Sequence, residues 1–325
     1  MSGSTISRGV TSSERVLQPP AVTAAAPQGV WVIVVNYNTA DLLERCLEAL
    51  RATQLDRPCT VFVVDNGSRD ASVARVRERF PEVVLLETGA NVGFARANNL
   101  ALRRVLAFVP EQVRRAHAVL LVNSDCFVEP ETIQRLVGVL DREPDVAVVG
   151  PKLVLPDGRL DLACRRSFPT PATALWKLTG LARVFPGSRR FARYNLTFCD
   201  PDEPLDVDAV SGACMLVRLQ AVVEAGLLDE AYFMYGEDLD WAYRIKQRGW
   251  RVRYEPSARA VHVKGGSWGR RDPRVLWEFY RAMALFYRRH YAAHQPVLLR
   301  WLVYAGIGMR FGVALRGLVV RRLVH

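Results

Sequence analysis

A chain of 325 residues, half of them hydrophobic, can close a full core, which excludes a disordered or fibrous polypeptide. A formal net charge of +11 favours polyanionic partners, but nucleic acid, anionic lipid and diphosphate substrates all satisfy it. Six cysteines, Cys46, Cys59, Cys126, Cys164, Cys199 and Cys214, lack C-x-x-C spacing and read as buried or free thiols in a reducing cytosol, not as a zinc site.

Residues 1 to 28 are rich in Ser, Thr, Ala, Pro and Gln without apolar periodicity, which predicts a disordered tail with no signal-peptide core. The run VWVIVVN (30 to 36) then has the continuous apolar character of a strand buried on both faces. Leu42, Leu43, Cys46, Leu47 and Leu50 follow at helical spacing behind Thr39, a candidate cap. The same alternation continues with strands at 60 to 65, 83 to 87 and 118 to 123 and helices at 71 to 80 and 93 to 108. It predicts an α/β fold, a Rossmann-like, mostly parallel sheet with helices on both faces, as one domain carrying an extension. Ligands of such sheets bind at the carboxyl ends of the strands. Polar residues collect there: Asn36-Tyr37-Asn38, Asp65-Asn66-Gly67-Ser68, Asn91-Val92-Gly93 and Asn123-Ser124-Asp125. Beyond residue 144, segments 146 to 155 and 207 to 218 read as strands, separated by a proline-containing insert expected to hold helix and substrate contacts of its own.

The turn after the first strand reads Asn-Tyr-Asn-Thr-Ala-Asp, and neither G-x-G-x-x-G nor a P-loop is present. Phosphates in this site would therefore be neutralised by a divalent cation, Mg2+ or Mn2+, on one or two carboxylates. Asp125, the first carboxylate beyond a buried strand, suits that role; it equally suits a turn or a helix cap. A second acidic cluster, Glu237, Asp238 and Asp240, opens a helix ending at Gly249. Its position complements the helix dipole, while the aromatic approach to Glu237 and Asp238 would raise a carboxyl pKa and suit a general base.

Seven segments, VNYNTADLLERCLEAL, VVDNGSRD, NVGFARANN, LLVNSDC, SGACMLVR, GLLDEAYFMYGEDLDWAYRIKQRGW and HVKGGS, together resemble the family 2 glycosyltransferases of the GT-A fold. Within that family they are similar to the bacterial rhamnosyltransferase-like enzymes of cell-wall and polysaccharide synthesis, over about residues 29 to 268. The resemblance implies that Asp65 meets the nucleotide base, and that Asn36, Asn38 and Gly93 line the nucleotide pocket. It makes Asp125 the end of a D-x-D-type metal motif whose first position is Asn123, with His262 as a further metal contact. Asp238 is the implied catalytic base, with Glu237 contacting acceptor or positioning it; Trp241 and Arg244 are expected only to pack or pair. The implied reaction is an inverting, single-displacement sugar transfer from a nucleotide-sugar donor, dTDP-rhamnose first and UDP-sugars next. The implied acceptor is a glycan, or a sugar linked to a polyprenyl diphosphate.

Residues 272 to 325 read as two helices separated near Pro296, and no stretch is an uninterrupted apolar run of membrane-spanning length. At about 100° per residue, Arg300, Arg310, Arg321 and Arg322 fall on one side of the second helix and Arg316 does not. Trp301 and Tyr304 near its start complete the pattern of an interfacial anchor on an anionic membrane surface, which would place the protein on the cytoplasmic face of a bacterial plasma membrane. The alternative is a helix packed on the core or on a second subunit. The pairs Arg165-Arg166, Arg189-Arg190 and Arg270-Arg271 are either diphosphate contacts or a solvated face. The arginines are not interleaved with aromatics on one segment, so no nucleic-acid partner is expected. A non-catalytic sugar-nucleotide-binding protein and a nucleotidyltransferase are the other readings of the same pattern.

Overall fold

The computed structural model describes residues 29–265 and 272–323; the N-terminal tail and the Arg270-Arg271 pair lie outside them. Three βα units open the chain: β1 (Val30–Asn36) and α1 (Ala40–Arg51), β2 (Cys59–Asp65) and α2 (Ser72–Arg79), β3 (Val84–Glu87) and α3 (Phe94–Phe108). Next come β4 (Ala118–Asn123), β5 (Cys126–Val128), α4 (Thr132–Arg142) and β6 (Val146–Val154). The insert holds β7 (Arg165–Arg166), α5 (Pro171–Leu178), α6 (Leu181–Val184) and β8 (Leu205–Asp206). The chain continues through β9 (Ala209–Val210), β10 (Cys214–Arg218), α7 (Leu219–Ala225), α8 (Glu237–Gln247), β11 (Arg251–His262), α9 (Pro273–His290) and α10 (Val297–Leu323).

The main sheet runs β3-β2-β1-β4-β10-β6-β11-β5, with β8 beside β11. Strands β3, β2, β1 and β4 are parallel, and Val32, Ile33, Val34, Val119 and Leu120 at their centre are fully buried, as strands covered on both faces require. Strand β10 runs antiparallel to β4, with Cys214 opposite Val122, which brings the turn before β10 over the carboxyl end of β4. Strand β11 pairs antiparallel with β5 so that His262 lies opposite Cys126, next in sequence to Asp125. These two reversals bring residues from the last third of the domain to the rim prepared by its first half.

The structure departs locally from the sequence reading. Segment 207 to 218 is not one strand: β9 pairs with β7 in a separate two-stranded sheet, and the chain turns at Ser211–Ala213 before β10 joins β4. Thr39 precedes α1 but makes no side-chain cap; its hydroxyl donates to Asn36 Oδ1 (2.6 Å) and shares a hydrogen bond with Ser124 Oγ (2.9 Å). A residue placed like an N-cap thus ties the β1 and β4 rims together.

Helix α9 buries Ala282, Leu285, Phe286 and Tyr287, with Phe286 packed on Phe168 and Tyr243. Helix α10 rests on it through Phe311 against Trp277 and Tyr280, and through Tyr304 against Tyr287. Its stretch Val297–Leu318, with a mean hydropathy of 1.4 and none of that window buried, is long and apolar enough to cross a membrane. The stretch is not an uninterrupted apolar run, because isolated arginines punctuate it without abolishing its apolar character. Phe311 and Tyr304 lie within about 40° of Arg300 around the helix, so the predicted arginine side overlaps the side turned to α9. Val297, Leu298, Trp301, Leu302, Met309 and Val313 are exposed.

Candidate active site

At the β1 and β2 rim, Asn36 Nδ2 donates to Asp65 Oδ1 (3.2 Å) and to Ser68 Oγ (3.1 Å). The Ser68 amide in turn donates to Asp65 Oδ2 (2.9 Å). Asn38, at φ 52°, accepts from the Arg69 amide (2.7 Å), while its own amide donates to Ser68 Oγ (3.0 Å). Asn36, Asn38 and Asp65 therefore form one polar network in which Ser68, not singled out from the sequence, is the hub. Asn66 braces the next turn by donating to Asn91 Oδ1 (3.1 Å) and accepting from the Val92 amide (2.9 Å).

Gly93 serves a packing need. A Cβ there would stand 2.7 Å from the Phe233 carbonyl oxygen, which accepts a hydrogen bond from the Phe94 amide at 2.7 Å. Its φ of +89° adds a second reason for glycine. The segment leading into α8 crosses the rim here.

Asp125 and His262 meet as the topology dictates: His262 Nε2 is 3.4 Å from Asp125 Oδ1, and the Val263 amide donates to the Asp125 carbonyl oxygen (2.9 Å). The other ring nitrogen, Nδ1, is 2.9 Å from Asp161 Oδ2, and Lys264 Nζ is 2.5 Å from Asp161 Oδ1. Burial opposes the charge of Asp161, but the hydrogen bonds from His262 and Lys264 outweigh it and hold the carboxyl down at about 2. Burial likewise opposes a charge on His262, and its hydrogen bonds with Asp125 and Asp161 outweigh it, so that its pKa is raised. Asp161 lies in the insert, a hundred residues from its partner, and no local pattern in the sequence marks it.

The fit of these residues to a divalent cation rests on their donor chemistry. No cluster of three or more His, Cys, Asp or Glu ligands exists among the described residues. One carboxylate and one imidazole converge, and Asn123 Oδ1, two residues before Asp125 in the chain, is buried with no partner. That set suits a cation completing its shell with phosphate oxygens and water, and a ring held at Nδ1 by a carboxylate is the usual support for a ligating imidazole.

The second acidic cluster opens α8 behind Gly236, at φ 82°. Asp238 Oδ2 accepts from Arg166 Nη2 (2.6 Å) and from the Gly212 amide (3.0 Å), while Oδ1 accepts from the Leu239 amide (2.8 Å). Gly212 precedes Ala213, whose carbonyl oxygen accepts from the Asn123 amide (3.0 Å). Two adjacent residues of one turn thus bridge the end of β4 to the carboxylate of α8. Glu237 is buried, and burial followed by the neighbouring Asp238 charge pushes its pKa up to about 8; its Oε2 has no partner. The phenol of Tyr235 is raised by burial and then by the charges of Glu237 and Asp125.

Asp240 has a structural role, holding His290 Nε2 of α9 (2.7 Å) and Arg244 Nε (2.8 Å). Arg244 also donates to the Ala225 and Leu227 carbonyls, and buried Trp241 donates to that of Gly226, so both pack and pair as expected. Arg165-Arg166 corrects the sequence reading of a solvated face, since both side chains of the pair are buried. The short β7–β9 ladder sets it inside the protein, where Arg165 donates to the Asp200 (2.6 Å) and Cys199 (2.7 Å) carbonyls and Arg166 grips Asp238.

The family model described as "Glycosyltransferase like family 2" matches residues 27–281. The N-acetylglucosaminyl-diphospho-decaprenol L-rhamnosyltransferase of Mycobacterium tuberculosis is 30% identical over 88% of this chain and 92% of its own. Rhamnosyltransferase WbbL of Escherichia coli is 25% identical over 72% of this chain and 83% of its own. Among solved structures, the mannosyltransferase PcManGT from Pyrobaculum calidifontis, in complex with GDP-Man and Mn2+, superposes with a TM-score of 0.54 at 19% identity, over 94% of this chain and 78% of that one. GalNAc-T7 with UDP, GalNAc and Mn2+ gives 0.56 at 13% over 86% of this chain, which spans about half (54%) of that structure. The structural likenesses carry the GT-A fold. With its sheet, its rim and these sequence matches, the chain belongs to glycosyltransferase family 2 and is a rhamnosyltransferase-like glycosyltransferase.

Proposed function

We propose that this glycosyltransferase moves L-rhamnose, with inversion, from dTDP-rhamnose to a sugar carried on a polyprenyl diphosphate, at the inner face of a bacterial plasma membrane. The observation that carries the reading is the meeting of two clusters on one rim. Asp125 and His262 stand 3.4 Å apart, and the turn that hydrogen-bonds Asn123 also holds Asp238. The first cluster suits the leaving-group side of a sugar, the second the acceptor side. The rhamnosyl and decaprenyl-diphosphate chemistry named for the mycobacterial relative, similar over most of both chains, supports the transferred sugar and the acceptor.

In this reading the Asn36, Asp65 and Ser68 network receives the nucleoside. Asp125 and His262 would hold Mg2+ or Mn2+, which supplies Lewis-acid charge to the diphosphate leaving group. Asp238, fixed through Oδ2 by Arg166 and Gly212, takes the proton of the acceptor hydroxyl at Oδ1. The hydroxyl oxygen forms the new bond at the anomeric carbon, opposite the bond to phosphate, and the nucleoside diphosphate leaves. A second reading exchanges roles within the pair: the partnerless Oε2 of Glu237, on a carboxyl raised to about 8, accepts the proton. Helix α10 places its exposed apolar residues in the bilayer surface, where such an acceptor resides.

The direct test incubates the full chain with a panel of sugar nucleotides and Mg2+ or Mn2+, with and without a prenyl-diphosphate-linked acceptor. Release of dTDP dependent on the acceptor is expected; release of pyrophosphate would reassign the enzyme to nucleotidyl transfer.

A further inference from the structure

Behind Arg166 the structure holds a cavity of about 430 Å³, lined among others by Ser167, Trp176, Arg189, Arg190 and Arg193. Its wall begins one residue from the side chain that fixes Asp238. Between Asp161 and Asp200 the sequence contains no Asp or Glu but seven basic residues, namely Arg165, Arg166, Lys177, Arg183, Arg189, Arg190 and Arg193. Several surface arginines elsewhere are neutralised: Arg51 pairs with Glu82, Arg75 with Asp41 and Glu44, and Arg251 with Glu143, Asp145 and Asp206. Among the described residues no carboxylate forms an ion pair with Arg189, Arg190 or Arg193. Asp208, the acidic residue on the cavity wall, is already engaged by Lys246 Nζ (2.6 Å) and the Phe168 amide (3.0 Å).

Two further features give the missing anion a shape. The Arg190 guanidinium lies over the Trp176 ring, 5.4 Å from its centroid, so it is pre-oriented and not freely waving. The same insert exposes large apolar side chains: Leu175, Val184 and Phe185 are 46%, 68% and 48% accessible, and Phe185 packs on Phe191, which in turn packs on the cavity residue Trp176. A cationic cup with an apolar border matches a ligand having a phosphate head and a hydrocarbon tail. It does not match a nucleoside, whose polar network lies at the β1 and β2 rim.

We infer that this cavity binds the diphosphate of the lipid-linked acceptor, with Arg189, Arg190 and Arg193 on the phosphates and the Leu175, Val184 and Phe185 border on the first isoprene units. The inference rests on the acceptor class proposed above and adds the site that holds it. The insert thereby positions the acceptor sugar towards α8, because Arg166 at its edge is bonded to Asp238.

Calorimetry on the full chain tests it with farnesyl diphosphate, inorganic pyrophosphate, farnesol and dTDP as separate probes. Farnesyl diphosphate is expected to bind more tightly than pyrophosphate or farnesol. The exposed-surface triple variant Arg189→Gln, Arg190→Gln, Arg193→Gln should lose about tenfold or more of that affinity while dTDP affinity stays unchanged. Unchanged farnesyl diphosphate affinity overturns the inference, and an equal loss for dTDP assigns the cavity to the donor instead. Pyrophosphate binding as tightly as farnesyl diphosphate makes it a free-phosphate site and removes the lipid. In turnover, a variant with unaltered KM for the lipid acceptor sinks the site but leaves the proposed reaction standing. A wild-type chain that transfers no sugar but binds farnesyl diphosphate through these arginines sinks the reaction alone.

Discussion

Arg166 Nη2 lies 2.6 Å from Oδ2 of Asp238, with both side chains largely buried. A contact between the insert and the first turn of α8 therefore sets the orientation of the carboxylate proposed as base. Removing one member of a buried pair strands the other charge, at a cost of about 3–5 kcal/mol. Arg166→Gln is expected to lower Tm clearly and to reduce kcat, with Arg166→Lys recovering part of both. Asp238→Asn should keep dTDP affinity and lose about 10²-fold or more in kcat; a fully active Asp238→Asn enzyme would rule out this base.

Asp161 meets the rim through His262 and Lys264. Asp161→Asn is predicted to weaken Mn2+ binding about 10- to 100-fold without contacting the ion, and Asp125→Ala to weaken it further. The readout is Mn2+-dependent protection by dTDP against thermal unfolding, which needs no turnover. An Asp161→Asn protein with wild-type Mn2+ dependence would reduce that residue to packing.

Glu237 favours its protonated form in the folded chain because burial and Asp238 raise it from the ordinary 4.5 to about 8. Stability linked to it is present below the unfolded pKa and is lost as pH rises through the window from about 4.5 to about 8. Glu237→Gln should remove that loss, so its Tm should gain on the wild type progressively across this window. If Glu237 is the base, wild-type kcat also rises towards pH 8 and Glu237→Gln abolishes it. Retained activity in Glu237→Gln leaves the proton with Asp238.

Gly93→Ala places a Cβ 2.7 Å from the Phe233 carbonyl oxygen on a left-handed backbone. Destabilisation of about 1 kcal/mol or more is expected, read from denaturant unfolding. Because Phe233 leads into α8, the variant should also raise KM for the acceptor.

Removing residues 297–325 deletes a helix whose candidate membrane stretch is not buried within the protein. Sedimentation with phosphatidylglycerol vesicles should be lost, while turnover of a water-soluble short-chain acceptor persists. Undiminished sedimentation of the truncated chain would exclude α10 as the anchor.

The strands of the first half were legible in the sequence because each is a continuous apolar run ending in polar residues, and parallel strands buried on both faces admit little else. The same local logic exposed Asp125, Asp238 and the helix break near Pro296, while His262 was marked by the family pattern alone. Neither the partners of those residues nor the position of the arginines was legible. Arg165-Arg166 looks in sequence like any basic pair, and only its place on a two-residue ladder against β9 turns it inward to Asp238. Asp161 has no periodicity to betray it, and Thr39 looked like a cap until the approach of β4 offered its hydroxyl Ser124. Sequence determined which segments must be buried, since burial follows local hydrophobic pattern. Tertiary structure decided which charges meet, since the antiparallel returns of β10 and β11 carry residues distant in sequence to one rim, Cys214 beside Val122 and His262 beside Cys126.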